Sequence, residues 1–386
     1  MRVTHVITRL VIGGAQENTV ASVLGLQGRP DFQTDLIAGP ATGPEGSLED
    51  LFDNAPRLLT RLPALVRPVN PWQDFLAWRA LTRLFRANRP DIVHTHSGKA
   101  GVLGRLAAHR AGVRVIVHTI HGPSFGAFQG AAANALFTAA ERRAGSVTTH
   151  FVSVADAMTR QYLACGIGSQ KQYTRIFSGF PLQPFLAARR DDSFRARLGA
   201  APTEIVVAMV ARLFKLKGHD ELISAAPELL RRQPNLKFLI VGGGAWRKRL
   251  EERVRGMGLE KCFIFTGLVP PAEIPRHLAA SDIVLHLSRR EGLARVLPQA
   301  LAVGRPIVAL DCDGAGEVCL NNETGFLAAP DQWMEPLLGL ASDPALRERL
   351  AARGRQFVIE NFSVETMLEK LYQLYLKLTQ AHGIPG

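Results

Sequence analysis

The chain has 386 residues, of which 47% are hydrophobic and 21% are charged. That length suits two domains of ordinary size, and the composition excludes a disordered or fibrous protein. No apolar run reaches the roughly 18 residues that a membrane span requires. The first segment, MRVTHVITRLVIGGAQ, is interrupted by Arg9 and lacks a small-residue cleavage site, so it predicts a first strand of a cytoplasmic protein.

The net charge is +12, and most of the basic excess lies in the first half. Residues 1–183 carry 19 Lys/Arg and 11 Asp/Glu, a net +8, and residues 184–386 carry 27 and 23, a net +4. A basic first half indicates a phosphate-rich ligand or an anionic membrane surface. The sequence has no zinc-finger spacing or RNP-like segment, so we predict no nucleic-acid partner. The four cysteines form no C-x-x-C pair and are predicted to be reduced.

Short apolar runs alternate with helical patterns along most of the chain. Strands are predicted at 3–8, 34–39, 91–96, 114–120 and 147–154, and again at 204–210, 237–242, 262–267, 282–287 and 305–310. Helices are predicted at 15–27, 74–88, 100–111 and 155–165, and again at 219–232, 246–257, 272–280 and 294–303. This alternation predicts parallel sheets that are covered by helices on both faces.

The alternation breaks in residues 178–204, which hold three prolines and mixed charge. We place the domain junction there, with one Rossmann-like domain at 1–183 and a second at 200–362. Residues 363–386 are predicted to form a C-terminal helix that packs back towards the N-terminal domain. The predicted fold class is α/β, with two doubly wound domains facing a central cleft, and ligands of such sheets bind at the carboxyl ends of the strands.

Two glycine-rich loops follow predicted strands. Gly13 and Gly14 precede the first predicted helix, and Gly242 and Gly243 belong to a VGGG segment that opens another. Glycines at such positions let backbone N–H groups approach an anion or a nucleotide at a helix N-terminus. A tight turn between strand and helix explains them equally well, and the sequence leaves both interpretations open.

Two cations lie in the loop that follows strand 204–210. Arg212 and Lys217 are five positions apart, just before a predicted helix. Beside a helix N-terminus they suit a diphosphate, which they would bind with charge-assisted hydrogen bonds. The alternative is that both are solvated surface side chains.

The segment RREGLARVLPQAL places Glu291 before a predicted helix and Gln299 eight positions further on. Free backbone N–H groups near Gly292, Leu293 and Ala294 can hold a phosphate at the helix N-terminus. With a rise of 1.5 Å per residue, eight helical positions span roughly 12 Å. This is comparable to a diphosphate with a sugar at each end, so the spacing favours one side chain for a hexose and the other for a ribose.

Six motifs, taken together and in this order, resemble those of the retaining glycosyltransferases of family four. They are GGAQ, HTIHG, ARLFKLKG, VGGG, EGLARVLPQAL and ETGFL, and the similarity that rests on them covers nearly the whole chain. The resemblance implies the GT-B fold, with an N-terminal acceptor-side domain and a C-terminal donor domain. It implies transfer of a hexose or N-acetylhexosamine from a nucleotide-diphosphate sugar to a hydroxyl of a cell-envelope glycan or lipid-linked acceptor. It also implies no cofactor and no metal, because cations and helix ends stabilise the leaving group.

The resemblance further assigns roles to individual residues. It implies that His121 and Glu291 flank the donor sugar and that Arg212 and Lys217 contact its diphosphate, which makes these four the predicted catalytic residues. Gln299 stands where the family has a glutamate that holds the ribose hydroxyls. The predicted donor-binding residues are Gly13, Gly14, Arg212, Lys217, Gly242, Gly243, Glu291, Gly292, Leu293, Ala294 and Gln299.

The acceptor side is less defined. His96, Ser97 and Lys99 follow a predicted strand at the start of a helix, where they are candidates to contact an acceptor, and Lys99 suits an acceptor phosphate. The alternative is that His96 only caps the strand. The amphipathic basic segment 75–89 either covers its sheet or contacts an anionic membrane, which would place the protein at the inner face of that membrane.

Two other functions fit the same architecture. One is a nucleotide-sugar-binding protein without turnover, and the other is an epimerase that acts on UDP-N-acetylglucosamine. The epimerase needs additional acid–base residues, and the sequence offers no matching set. The triplet at 311–313, Asp-Cys-Asp, matches the metal-binding D-x-D of another glycosyltransferase fold, but it leads into a glycine turn and therefore favours Asx-type turn chemistry.

Overall fold

A seven-stranded parallel sheet forms the core of the first unit, in a computed structural model that describes residues 1–29, 31–41 and 46–384. Its strands are β1 (Arg2–Ile7), β2 (Gln33–Ala38), β3 (Leu59–Arg61), β4 (Ile92–His96), β5 (Val115–Ile120), β6 (His150–Ser153) and β7 (Tyr173–Arg175). They lie in the order β3-β2-β1-β4-β5-β6-β7, and every pairing is parallel. The direction of winding therefore reverses between β1 and β4.

A six-stranded parallel sheet forms the core of the second unit, all of whose residues the structure describes. Its strands are β8 (Ile205–Val210), β9 (Leu236–Val241), β10 (Phe263–Gly267), β11 (Ile283–His286), β12 (Ile307–Leu310) and β13 (Gly325–Ala328). They lie in the order β10-β9-β8-β11-β12-β13, so the winding reverses between β8 and β11. The two units consist of Met1–Phe180 with Val364–Gly386, and of Pro181–Ser363.

Helices connect the strands of both sheets. In chain order they are α1 (Gly14–Leu26), α2 (Pro71–Asn88), α3 (Gly98–Ala111), α4 (Ala131–Gly145), α5 (Asp156–Ala164), α6 (Gln183–Ala187), α7 (Asp192–Leu198), α8 (His219–Arg232), α9 (Arg247–Gly256), α10 (Ile274–Ala279), α11 (Val296–Val303), α12 (Met334–Ser342), α13 (Pro344–Asn361) and α14 (Val364–Ala381). No helix among the described residues is long and apolar enough to span a bilayer. Because helices cover the sheets, strands such as β4, β5, β11 and β12 are buried at every position.

The C-terminal helix α14 completes the core of the first unit. Leu371, Tyr375 and Leu378 are buried in one apolar cluster with Val3 of β1 and Val117 of β5. An amphipathic helix is stable in water only where its apolar face is covered, and here the sheet covers it. The predicted helical tail is therefore present.

Every strand and helix predicted from the sequence is present, with ends that shift by a few residues. The strands β3, β7 and β13 were not predicted, because three or four residues are too few to show a period. The junction segment, where the predicted alternation breaks, contains two short helices, α6 and α7.

The helix after Glu291 was predicted to begin near Ala294, and this was wrong. It begins at Val296, with Arg295 as its N-cap. Pro298 explains the later start, because proline has no N–H to donate and is tolerated only in the first turn of a helix.

Candidate active site

In the second unit, two loops meet at the point where the winding reverses. The loop after β8 ends at Gly218, and the loop after β11 holds Glu291. The carbonyl of Leu216 accepts a hydrogen bond of 2.9 Å from the backbone N–H of Arg289 and one of 3.3 Å from the Ser288 hydroxyl. The two loops are thus joined through the backbone beside the predicted catalytic residues.

An ion pair between Lys217 and Glu291 crosses from one loop to the other, with side chains that are 13% and 24% exposed. Burial alone would raise the pKa of the Glu291 carboxyl, but the Lys217 cation and hydrogen bonds from Lys217 and Ser288 outweigh it and lower that pKa. His286 lies 3.9 Å from the same carboxyl oxygen, and burial lowers its pKa to about 4. Glu291 is therefore an anion beside one cation and a neutral imidazole.

Arg212 and Lys217 both lie over one aromatic ring of this loop. The Arg212 guanidinium carbon is 4.9 Å and the Lys217 Nζ is 5.8 Å from the ring centroid of Phe214. Cations within about 6 Å of a ring face are attracted to it. The two predicted diphosphate ligands are thus brought together around a half-exposed phenylalanine.

The glycines in these loops allow segments to approach closely. At Gly242, with φ of 144°, an added Cβ would lie 2.1 Å from the carbonyl oxygen of Ala211. At Gly218, with φ of 83°, it would lie 2.2 Å from Cβ of Leu287. Gly243 is less constrained, since its nearest neighbour would be 3.3 Å away. The first two glycines are therefore required by packing, which holds Arg212 and Lys217 in place.

Gln299 stands out in α11, because every other residue of this helix is buried and Gln299 is half-buried. Its backbone N–H donates to the carbonyl of Arg295 at 3.1 Å, so it lies in the first helical turn. The turn at Gly292, Leu293 and Ala294 precedes the helix. The helical rise therefore accounts for only part of the separation between Glu291 and Gln299.

In the first unit, the predicted residues follow β1, β4 and β5, three neighbouring strands. Gly13 is the N-cap of α1 and Gly14 is its first residue, and the carbonyl of Gly13 accepts a bond of 2.9 Å from Glu17. His121 lies directly after β5 and is half-buried. Its Nε2 is 3.1 Å from Nδ1 of His96.

The three acceptor candidates differ in their surroundings. His96 is 1% exposed and both its ring nitrogens contact other histidines, so its side chain presents almost no surface to a bound molecule. Lys99 forms an ion pair of 2.5 Å with Asp74. Ser97 has φ of 66°, an uncommon conformation for a residue with a side chain.

Comparison with known proteins identifies the family of this chain. The second unit matches the group 1 glycosyl transferases over residues 190–357, and the first matches the glycosyl transferase 4-like domain over 13–175. A GDP-mannose-dependent alpha-(1-6)-phosphatidylinositol monomannoside mannosyltransferase of Mycolicibacterium smegmatis is 31% identical over 302 residues, which are 74% of this chain and 76% of that protein. The chain belongs to the family-four glycosyltransferases.

Two further proteins extend the likeness of this glycosyltransferase along its whole length. The UDP-Gal:alpha-D-GlcNAc-diphosphoundecaprenol alpha-1,3-galactosyltransferase of Escherichia coli is 26% identical over 385 residues, covering 98% of this chain and 97% of that protein. The crystal structure of Anabaena HepE in complex with UDP and glucose covers 98% of this chain and 100% of its own, with a TM-score of 0.80 at 21% identity. The predicted GT-B fold class of two parallel sheets and a helical tail is confirmed.

Sequence analysis of the glycosyltransferase missed the residues that fix Glu291. The backbone N–H of Glu291 donates to Oδ2 of Asp313 at 2.7 Å, and Gly314 donates to the carbonyl of Gly292 at 3.1 Å. Asp313 itself has φ of 49°. The signal was the aspartate before a glycine in the D-x-D triplet, which indicated a turn but not the loop to which it would bind.

Proposed function

We propose that this glycosyltransferase moves a hexose or N-acetylhexosamine, with retention, from a nucleotide-diphosphate sugar to a hydroxyl of a lipid-linked or glycan acceptor of the cell envelope. The observation that carries the proposal is the Lys217–Glu291 ion pair beside Arg212. The relatives support the substrate classes. The Escherichia coli protein is named for UDP-Gal and a diphosphoundecaprenol acceptor, and the mycolicibacterial one for GDP-mannose and a phosphatidylinositol monomannoside.

The charges suit the transfer step. The bond between the anomeric carbon and the diphosphate oxygen breaks, and a bond to the acceptor hydroxyl oxygen forms on the same face of the sugar. The hydroxyl proton passes to the departing phosphate oxygen. Lys217 and Arg212 stabilise the charge of the leaving group, while anionic Glu291 stabilises the positive charge that develops on the sugar.

The same cations are the reason to propose a metal-independent reaction without a cofactor. Their positive charge and their N–H donors can neutralise the diphosphate. A divalent ion has this role in other transferases. Turnover that stays within about twofold in excess EDTA, against the same assay with Mg²⁺, is the expected result. A loss that only added metal restores would contradict it.

A panel of donors tests the transferase proposal. UDP-, GDP- and ADP-sugars are screened for thermal stabilisation, and the best donor is then incubated with a lipid-linked or glycan acceptor. The expected product keeps the anomeric configuration of the donor, which NMR of the new glycosidic bond measures. Inversion would contradict the retaining mechanism.

The same panel separates the two alternatives, neither of which the relatives favour. Stabilisation without hydrolysis or transfer of any donor would indicate a binding protein. A change of sugar stereochemistry without transfer would indicate the epimerase.

We also propose that α2 contacts an anionic membrane surface. Leu81 and Phe85 of this helix are buried against the sheet, but Trp72 is 66% exposed and Phe75 44%. The exposed cations Arg79, Arg83 and Arg86 continue the same helical stripe. Exposed aromatic rings with neighbouring cations suit a bilayer that contains anionic lipid.

Vesicle sedimentation tests this surface. The protein is expected to bind vesicles that contain phosphatidylglycerol more tightly than pure phosphatidylcholine, and salt should weaken the binding. Trp72→Ala with Phe75→Ala should reduce binding about thirtyfold, since each aromatic side chain contributes roughly 1 kcal/mol at the interface. Met257→Ala, which removes an apolar side chain that is 40% exposed in the second unit, is the control. Equal binding of both variants would contradict the proposal.

A further inference from the structure

A chain of hydrogen-bonded histidines runs through the first unit. Nδ1 of His5 lies 2.9 Å from Nε2 of His96, and Nδ1 of His96 lies 3.1 Å from Nε2 of His121. His5 is on β1 and His96 is on the neighbouring strand β4, and each is at most 1% exposed. His121 is half-buried in the loop after β5. These hydrogen bonds therefore lead from the interior of the sheet to His121, which by the family resemblance flanks the donor sugar.

The middle ring of this chain is held firmly. His94 stacks on His96 with ring centroids 4.4 Å apart, and His5 stacks on it at 5.2 Å. His94 is fixed in turn, because one of its nitrogens contacts the Tyr375 hydroxyl of α14 and the other lies 2.6 Å from Oγ1 of Thr119. His96 thus has little freedom to turn its ring away from His121.

A metal ion is the alternative use of these rings, since nitrogens of His5, His94 and His96 lie within 4.8 Å of one another. Both nitrogens of His94 and both of His96 already take part in hydrogen bonds. Among the described residues, only Nε2 of His5 has no partner in this group. A divalent ion would also bring charge into a group that is at most 1% exposed and contains no carboxylate. The contacts therefore favour a hydrogen-bond chain.

The number of protons on the rings determines which histidine donates each of these hydrogen bonds. Burial lowers the pKa of His5 to about 3 and that of His96 well below its usual value, so both rings are neutral. A neutral imidazole has one donor and one acceptor, so His96 donates to one neighbour and accepts from the other. If it accepted from His121, His5 would keep a buried N–H without a partner, and such donors are rarer than unmet acceptors. The bonds therefore run from His5 to His96 and from His96 to His121.

We propose that His96 and His5 are positioning residues that hold His121 as the neutral tautomer with its proton on Nδ1. In that form His121 donates a hydrogen bond through Nδ1 and does not act as a base there. It is thus suited to bind an oxygen of the donor sugar, while the acceptor proton goes to the leaving phosphate. The donor contact rests on the proposed function, whereas the tautomer does not.

Nuclear magnetic resonance of the unliganded protein tests the tautomer. The protein is labelled with ¹⁵N-histidine, and the His121 signals are assigned as those that His121→Gln removes. Two-bond ¹H–¹⁵N correlations are expected to show the proton on Nδ1 in the unmodified protein. His96→Leu should shift His121 towards the Nε2–H form, and His96→Asn should restore Nδ1–H, because its amide N–H₂ replaces the donor at that position.

The controls decide between positioning and general packing. His150→Leu removes a buried histidine of β6 outside the chain and should leave the His121 signals unchanged. An Nε2–H tautomer in the unmodified protein, or one equivalent of zinc in tag-free protein, would overturn the proposal. The spectra need no turnover, so a protein that transfers no sugar would contradict the proposed function and leave this test intact.

Steady-state kinetics of the His96 and His121 variants provide a second test of the positioning role. His96→Leu should lower kcat about tenfold to hundredfold with a smaller change in the donor KM, as expected for a misplaced catalytic group. His96→Leu combined with His121→Ala should be no slower than His121→Ala alone, because both act through one ring. Multiplicative losses in the double variant would count against a positioning role.

Discussion

The two places where the winding reverses have the same topology, but they differ in the charge of the side chains that they hold. The β1–β4 position holds imidazoles that burial keeps neutral. The β8–β11 position also holds a neutral imidazole, that of His286, but adds the charged pair of Lys217 and Glu291. Neutral rings in a hydrogen-bond chain can be buried without a counter-charge, whereas the charged pair lies nearer the surface, where a ligand can exchange with either partner. The fold provides two equivalent positions, and the residue types decide which of them carries a charged pair.

The largest expected effect concerns the charged position. Lys217→Ala should reduce kcat about hundredfold, or roughly 3 kcal/mol in the transition state, because it removes a fixed cation at the leaving group. Lys215→Ala removes an exposed cation from the same loop and is the matched control. Steady-state rates with saturating donor make the comparison. Turnover of the Lys217 variant within a few-fold of the parent would count against the assignment.

Gly218→Ala tests whether the packing next to that cation requires a glycine. The new Cβ would lie 2.2 Å from Cβ of Leu287, and φ is 83°, so we expect a loss of roughly 2–3 kcal/mol in the free energy of unfolding. Gly256→Ala is the control, since nothing lies within 4 Å of its added Cβ. Urea denaturation of both variants measures the difference. A Gly218 variant as stable as the control would show that the loop adapts.

As the pH falls, the first unit, which holds more of the neutral histidines, should lose stability before the second. The pKa of His5 is lowered to about 3 in the folded protein, so between pH 6.5 and 3 the unfolded chain binds more protons and stability falls as pH falls. From pH 6.5 to 5 His5 alone accounts for about 2 kcal/mol. The pKa of Glu291 is also lowered, but it contributes stability that is lost only below the usual glutamate range.

Pulsed hydrogen exchange at several urea concentrations, read separately for peptides of each unit, measures this difference. The first unit holds more buried neutral histidines than the second. They are His5, His94, His96, His118 and His150, against His219 and His286. The stability of the first unit should therefore fall more steeply between pH 6.5 and 5, and His5→Leu should flatten the slope. Equal slopes in both units would contradict the contrast.

The sequence predicted the sheets better than the contacts within the site. Apolar strands such as β11 and β12 are buried on both faces, which produces continuous hydrophobic runs and a strong signal. Arg212, Lys217 and Glu291 could be proposed as site residues because loops after parallel strands gather at one edge of a sheet. The bond from Glu291 to Asp313 was missed, since 22 positions separate these residues and only the fold brings them together.

The hydrogen-bonded histidines of the first unit are a second set of contacts that the sequence could not predict. His5 and His96 appear in the sequence only as polar residues of two strand segments, RVTHVI and IVHTH, that both also contain a threonine. Their contact depends on the register of β1 against β4, in which His5 is opposite His94. The order of strands in the sheet decides which strand lies beside β1. No local pattern in the sequence could therefore identify the hydrogen-bonded histidines, or show that His96 is buried and not available to an acceptor.

The smallest expected effect concerns the one departure from the family pattern. Gln299 is the half-buried polar residue of a buried helix, and its amide offers one acceptor oxygen where a carboxylate offers two with charge. Gln299→Glu should tighten donor binding about five- to tenfold, or roughly 1 kcal/mol, if the side chain binds the ribose hydroxyls. Calorimetric titration with the preferred donor measures this, and Gln299→Leu, which should weaken binding, is the opposing variant. The gain should appear in donor affinity and leave kcat nearly unchanged, because the ribose is remote from the anomeric carbon. Markedly weaker binding by Gln299→Glu would contradict this placement of the ribose.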